Sequence, residues 1–144
     1  MSQPATPPVE LDTSVLTCMD HRIDPVAILG LAEGQAHVFR NAGGYVTEDA
    51  IRSLCLSQQL ADTERILVMH HTNCKASEDT AEGYRALVEA GTGTSPTWDV
   101  QPVIDPYERV RAALGQLRQS TLVNTARLEG YVYDVDDGSL TPVS

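Results

Sequence analysis

The clearest strand signal in the chain is RILVMHH, residues 65–71. An uninterrupted apolar run of this kind is typical of a strand that a parallel sheet buries on both faces. Shorter runs at residues 14–18, 36–39 and 131–135 are rich in β-branched and aromatic residues and predict further strands. We therefore expect a central sheet of at least four strands, with residues 65–71 in its interior.

Helix-start signals separate these strands. Asp24-Pro25 and Asp105-Pro106 each pair an N-cap aspartate with a proline whose ring is pre-set for the first helical turn. Thr47 opens another helix, and residues 77–79 are predicted to open a third. Strands that alternate with helices predict an α/β fold, a single domain with a mostly parallel central β-sheet flanked by helices.

The helix that follows Thr47 has apolar residues on most of its circumference, which predicts deep burial. These residues are Ile51, Leu54, Cys55, Leu56 and Leu60, and Cys55 is interpreted as core packing. Residues 91–102 are rich in Gly, Thr and Pro and are predicted to form a loop. Asp137-Gly138 predicts a hairpin turn.

Length and charge limit the possible partners. A chain of 144 residues predicts one domain over residues 14–144, preceded by a flexible Pro-rich tail over residues 1–13. Ten basic and twenty acidic residues give a net charge of −10, which disfavours nucleic acid and anionic membranes as partners. The sequence shows no signal peptide and no apolar run of about 18 residues, so we expect a cytoplasmic protein. Three cysteines in such a chain argue against a disulfide framework.

Metal-ligating residues fall at the predicted strand ends. In α/β sheets, ligands bind beyond the carboxyl ends of the strands, which here are Cys18, Arg40-Asn41 and His71. Cys74 follows His71 in an HxxC unit, and Cys18 comes from a different strand. Two cysteines and one histidine are a known catalytic zinc set, because three protein ligands leave a fourth position for water. Cys18, His71 and Cys74 are therefore the predicted metal ligands.

Asp20 and Arg22 directly follow the first of these cysteines. A carboxylate two residues after a metal thiolate can accept a proton or hydrogen bond from metal-bound water, or can ligate the metal itself. The Arg22 guanidinium offers a planar fork that can hold Asp20 in one orientation. Without Arg22, Asp20 would be free to occupy the metal.

Three motifs together resemble the β-class carbonic anhydrase family, in particular its small bacterial members, over residues 14–135. They are Cys18-x-Asp20-x-Arg22, Arg40-Asn41-Ala42-Gly43 and His71-x-x-Cys74. The resemblance implies a zinc enzyme that interconverts CO2 and bicarbonate, works as a homodimer or higher oligomer, and takes a small-molecule substrate. It also implies zinc binding by Cys18, His71 and Cys74, with Asp20 and Arg22 as the catalytic pair.

Two features depart from that pattern. The family usually has glycine after the second ligand cysteine, where this chain has Lys75, a cation near the thiolates. Only 17 residues precede Cys18, whereas many members have a longer helical arm that embraces the partner subunit. Carbonyl sulfide and carbon disulfide hydrolases share the same motifs, so either compound is an alternative substrate.

A second alternative is a non-enzymatic zinc-binding protein in which Asp20 is a permanent fourth ligand.

For the enzyme, two thiolates cancel the formal charge of Zn²⁺, so we expect the zinc-bound water to be less acidic than at an all-histidine site. We therefore expect rates that rise toward alkaline pH. His21 and His70 are candidates for the group that carries the product proton away from the site. His70 and His71 face opposite sides of a strand, and the resemblance selects His71 as the ligand. His37 is interpreted as structural.

Overall fold

The computed structural model describes residues 9–75, 80–98 and 105–144. The strands are β1 (Thr13–Cys18), β2 (Ala36–Asn41), β3 (Arg65–His71), β4 (Arg127–Tyr133) and β5 (Leu140–Val143). The helices are α1 (Pro25–Ile28), α2 (Glu48–Ala61), α3 (Ala81–Thr92) and α4 (Pro106–Gln119). Strand β1 begins at Thr13, within the segment expected to be tail. No helix among these residues has the length and apolar character needed to cross a membrane.

The five strands form one sheet in the order β2-β1-β3-β4-β5. The first four are parallel, and only β5 runs antiparallel to its neighbour β4. This arrangement confirms the predicted α/β fold with a mostly parallel sheet. The register aligns Cys18 with Asn41 and Thr17 with Met69, so β1, β2 and β3 end at one edge of the sheet. That edge is where the predicted ligands emerge.

Local capping chemistry explains the helix starts. The side chains of Asp24, Thr47 and Asp105 each accept a hydrogen bond from a backbone N–H in the first turn of α1, α2 and α4. Each bond satisfies an amide that has no partner within the helix, which confirms these three predicted starts. The predicted start at residues 77–79 lies outside the described residues, and Thr80 caps α3 instead. Helix α3 continues through Gly91 and Thr92, which were predicted to lie in a loop.

Helix α2 is less buried than its composition predicts. Leu54 is fully buried, but Leu60 is 79% exposed and Cys55 is only half-buried. The prediction of deep burial was therefore wrong, because the sheet covers one side of α2 and the described chain leaves the opposite side open. Cys55 lines a groove on that open side rather than the core.

Side chains of β3 alternate between the two faces of the sheet. Ile66 and Val68 pack with α4 in the larger core cluster, whereas Met69 packs with Cys18 and Cys74 in a smaller one. Alternation then places His70 on the α4 face and His71 on the opposite face. Close packing on the α4 face requires glycine at residue 130, because a Cβ there would lie 2.5 Å from Val110 Cγ1.

Candidate metal centre

Three buried ligand atoms converge at the carboxyl edge of the sheet. Cys18 ends β1, His71 ends β3, and Cys74 follows three residues later. Their ligand atoms all lie within 4.8 Å of one another. The sulfurs of Cys18 and Cys74 are 4.0 Å apart, well beyond the disulfide bond length of about 2.0 Å, and both cysteines are free. The structure thus brings the predicted ligand set together.

The donor set suits zinc. His71 Nδ1 lies 2.8 Å from the Thr72 carbonyl oxygen, which can only accept, so Nδ1 carries the proton. His71 Nε2 is then an unprotonated lone pair, and it is buried without a hydrogen-bond partner. Two thiolates bonded to one tetrahedral zinc at about 2.3 Å must stand roughly 3.8 Å apart, close to the observed sulfur separation.

The surroundings favour ionised sulfur. The hydrogen bond with Cys74 is the largest influence on Cys18 and lowers the pKa of its thiol, against burial, which raises it. Contacts with His71 and with the backbone N–H groups of Asp20 and Gly43 lower that pKa further. Burial lowers the pKa of His71, but its contacts with Cys18 and Thr72 outweigh burial, and the pKa is raised. The site is therefore built to hold negative charge on sulfur, as a cation would require.

Asp20 and Arg22 form a bidentate pair beside the ligands. Arg22 donates from Nε to Asp20 Oδ1 at 3.0 Å and from Nη2 to Oδ2 at 2.6 Å, and its backbone N–H donates to Oδ1 at 2.8 Å. Asp20 Oδ2 lies 3.8 Å from His71 Nε2. The hydrogen bond from Arg22 is the main reason that the pKa of Asp20 lies well below its usual range. Asp20 is therefore a carboxylate at neutral pH, directed toward the ligand atoms.

Arg22 also joins the two segments that carry the ligands. Its Nη2 donates to the carbonyl oxygen of Asn73 at 2.7 Å. Asn73 adopts a left-handed conformation with φ of 53°, and its Nδ2 donates to Asp136 Oδ2 at 3.0 Å. Asparagine is among the few residues that tolerate this conformation. The turn between His71 and Cys74 is thus fixed from two sides.

Sequence reasoning did not assign Arg40 a role, and the structure gives it one. Arg40 donates from Nε to the Cys18 carbonyl oxygen at 3.0 Å and from Nη2 to the Asp20 carbonyl oxygen at 2.7 Å. It thereby holds the backbone of the loop that carries Asp20. The parallel pairing of β1 with β2 brings Arg40 there, and the motif that contains it was the only signal in the sequence.

The loop after β2 packs directly against the first ligand. Asn41 fixes this loop by accepting from the Tyr45 N–H at 2.8 Å and donating to the Tyr45 carbonyl oxygen at 3.0 Å. Gly44 has φ of 65°, and a Cβ there would lie 3.1 Å from the backbone nitrogen of Cys18. Glycine at residue 44 is therefore required both by its conformation and by this close approach.

A surface pocket opens beside Cys18, the first of the predicted ligands. Its lining consists of Cys18, Met19, Asp20, His21, Arg22, Ala42, Gly43 and Lys75. Lys75 thus lies at the pocket, where the sequence predicted a cation.

The other histidines lie in different surroundings. The His21 side chain is 93% exposed, with Nδ1 3.9 Å from Asp20 Oδ1, whereas His70 is buried on the opposite face of the sheet from His71. His37 Nδ1 lies 2.8 Å from Ser57 Oγ, in keeping with a structural role.

Comparison with known proteins places this arrangement in context. The carbonic anhydrase family model matches residues 13–109. The chain is 38% identical to β-carbonic anhydrase 1 of Mycobacterium bovis over 98% of this chain and 87% of that protein. It is 47% identical to a carbon disulfide hydrolase of Acidianus sp. over 85% of this chain and 72% of that protein. A carbonic anhydrase structure from Streptococcus mutans superposes with a TM-score of 0.89 at 36% identity, covering 97% of this chain and 88% of that one.

Proposed function

This chain belongs to the β-carbonic anhydrase family, and on that basis we propose that it is a zinc enzyme that reversibly hydrates CO2 to bicarbonate and a proton. One observation carries the proposal. The buried Cys18, His71 and Cys74 converge on one point, and a carboxylate held by Arg22 lies beside them. A purely structural zinc site would use four protein ligands and would need no such held carboxylate.

Cys18, His71 and Cys74 would hold the zinc ion. When bound, zinc acidifies water and so supplies a nucleophile near neutral pH, which is the chemistry that CO2 hydration needs. The His71 proton on Nδ1 is held by the Thr72 carbonyl, which fixes the ring with Nε2 toward the other ligands.

Asp20 would orient the attacking water or hydroxide by accepting a hydrogen bond from its O–H group. The carboxylate is ionised because Arg22 lowers its pKa, so it accepts and does not donate. The bidentate pair with Arg22 occupies both oxygens of Asp20 and keeps them from turning onto the metal. The same pair would therefore both orient the nucleophile and leave the metal accessible to water.

The pocket suits a small linear substrate. Met19, Ala42 and Gly43 contribute an apolar lining beside Asp20, and CO2 carries no net charge or dipole that would need a polar cradle. His21 is the group placed to pass the product proton to buffer, because it is almost fully exposed and lies next to Asp20. His70 is buried on the other face of the sheet and has no comparable path.

Hydrolysis of carbonyl sulfide or carbon disulfide at the same site is the second candidate. The 47% identity to a carbon disulfide hydrolase favours it. All three substrates are linear triatomic molecules attacked at carbon, so the metal ligands and Asp20 would serve each equally. Discrimination must come from the lining of the pocket, including Met19 and Lys75.

We further propose that the chain works as a homodimer or larger assembly. Leu56 and Ile51 line an open groove on α2 together with Leu122 from the segment after α4, and charged side chains from the first turns of α2 complete its lining. Leu60, one helical turn beyond Leu56, is 79% exposed, and Leu122 is 61% exposed. An apolar surface of this kind is typical of a protein interface.

A substrate panel tests the proposed reaction. Zinc-loaded protein would be assayed for CO2 hydration and, through sulfide release, for hydrolysis of carbonyl sulfide and carbon disulfide. We expect CO2 hydration to have the highest kcat/KM, with Cys74→Ser inactive on all three substrates. Sulfide release without CO2 hydration would support the second candidate, and a zinc-loaded protein inactive on all three would indicate a site closed by Asp20.

A further inference from the structure

A second group of polar side chains, each with buried polar atoms, lies where α4 packs against the sheet. It consists of Tyr45 from the loop before α2, His70 from β3 and Arg109 from the first turns of α4. Tyr45 is 8% exposed and His70 is 2% exposed. The Arg109 guanidinium carbon lies 3.7 Å from the centre of the Tyr45 ring, in cation–π contact.

Five polar atoms of this group are buried and lack a hydrogen-bond partner. They are Tyr45 Oη, both ring nitrogens of His70, and Nε and Nη2 of Arg109. The charge of Arg109 acts on both Tyr45 and His70, so the three side chains are neighbours. Buried polar atoms are nearly always hydrogen-bonded, so five unpartnered atoms on three neighbouring residues mark a missing partner. Nε and Nη2 form the edge of a guanidinium that binds two coplanar oxygens at once.

The missing partner is a hydrogen-bond acceptor that carries negative charge. Burial lowers the pKa of Arg109, but a guanidinium stays protonated in proteins, and burial raises the pKa of Tyr45 to about 12, so its hydroxyl is a donor. Although the chain has twenty carboxylates, none among the described residues pairs with Arg109. Arg109 is half-buried as a residue, but its Nε and Nη2 are buried without a partner or counter-ion. Such an arrangement is unfavourable, and a bound oxyanion would stabilise it.

We propose that Arg109, Tyr45 and His70 form a binding site for an oxyanion with two coplanar oxygens of the carboxylate type. Arg109 donates from Nε and Nη2 to the two oxygens, and Tyr45 adds its hydroxyl. The oxyanion is either a small carboxylate from solution or an Asp or Glu side chain of a second copy of this chain. None of the three residues is a proposed metal ligand, but the site adjoins the metal centre at two points. His70 packs edge-on against His71, with ring centres 5.3 Å apart, and Tyr45 packs against Gly43, which lines the pocket beside Cys18.

Thermal unfolding of the zinc-loaded protein with sodium acetate, at ionic strength held constant with sodium chloride, tests the site. A ligand that binds only the folded state raises Tm in a saturable way. We expect such a rise for the wild type, and at least a tenfold weaker apparent affinity, on the order of one lost charged hydrogen-bond pair, for Arg109→Gln. Arg111→Gln is the matched control, because Arg111 is an exposed arginine on the same helix.

Two further variants keep the test decisive if Arg109→Gln does not fold. Arg109→Lys keeps the charge but loses the two-donor edge, and Tyr45→Phe keeps the ring that Arg109 covers but loses the hydroxyl. Both should weaken the acetate response while leaving the metal content unchanged.

Sedimentation velocity on the same variants identifies the source of the oxyanion. If a second copy supplies it, acetate will have little effect on Tm, and Arg109→Gln will weaken self-association where Arg111→Gln does not. The proposal would be overturned if neither the acetate response nor the self-association differed between the wild type, Arg109→Gln and Arg109→Lys.

Discussion

The Arg22 guanidinium binds both oxygens of the Asp20 carboxylate, at 3.0 Å and 2.6 Å, and the same Nη2 reaches the Asn73 carbonyl oxygen at 2.7 Å. One side chain therefore fixes the direction of the carboxylate and ties it to the turn between His71 and Cys74. In the proposed enzyme this contact would leave the metal accessible to water, because it satisfies Asp20 without a bond to the metal.

Arg22→Ala should reduce turnover by about 10- to 100-fold, the usual cost of losing a residue that orients a metal-site group. Zinc content should stay close to that of the wild type, and X-ray absorption should show a carboxylate oxygen newly bound to the metal, because Asp20 is released. Arg111→Ala, which removes an exposed arginine elsewhere, should change neither quantity. Loss of zinc from Arg22→Ala would show instead that Arg22 maintains the ligand geometry.

Cys18→Ser and Cys74→Ser should each lower bound zinc far below one ion per chain, because a serine hydroxyl is a poor substitute for a thiolate. Cys55→Ser is the internal control, since Cys55 is half-buried on α2 and does not belong to the group formed by Cys18, His71 and Cys74. Metal analysis after dialysis against a chelator measures the difference. Equal zinc retention by Cys55→Ser and Cys74→Ser would refute the assigned ligand set.

His70 should make the fold sensitive to mild acid. Burial lowers the pKa of His70 to about 4 in the folded chain, below the value of about 6.5 expected when unfolded. As the pH falls, the unfolded state therefore takes up the proton first. The stability that neutral His70 gives the folded state is complete above about pH 6.5 and is lost as the pH falls toward 4. The pKa difference corresponds to at most about 3.5 kcal/mol in the free energy of unfolding.

Urea unfolding of the wild type and His70→Gln across this pH range isolates that contribution, because the metal ligands are common to both. We expect the wild type to lose more stability than the variant between neutral pH and about pH 4.5. Parallel stability curves for the two proteins would contradict a buried, neutral His70.

Leu122→Glu should weaken self-association, because it places a charge in the apolar groove of α2. A fall in association affinity of at least about tenfold is expected if the groove lies in the interface core. Leu87→Glu on α3 is the matched control, since Leu87 is 67% exposed and lies outside that groove. Identical sedimentation profiles for both variants and the wild type would mean that the chain associates through another surface or not at all.

The sequence predicted features that depend on local or motif-level chemistry. Asp24 and Asp105 cap their helices as expected, because an N-cap bond needs only neighbouring residues. The placement of Cys18 and His71 at the same edge of the sheet followed from the rule that parallel strands have their carboxyl ends at one edge. Both cases use information that lies within a few residues or within the fold class.

Features that depend on tertiary contacts were not predicted. The periodicity of α2 could not show that Leu60 would be exposed, because it depends on which elements cover the helix. Tyr45 and Arg109 stack on each other from positions 64 residues apart, and neither belongs to a motif that brings them together. Arg40 acts through backbone carbonyl groups, which carry no signature in the sequence.

The most direct test of the account is stopped-flow CO2 hydration by the zinc-loaded protein from about pH 7 to about pH 9. We predict turnover well above the buffer rate that rises with pH, because two thiolates leave the bound water less acidic. The rate should be absent from Cys74→Ser and should survive in Cys55→Ser. No turnover above buffer at any pH, with one zinc ion confirmed per chain, would contradict the proposed reaction.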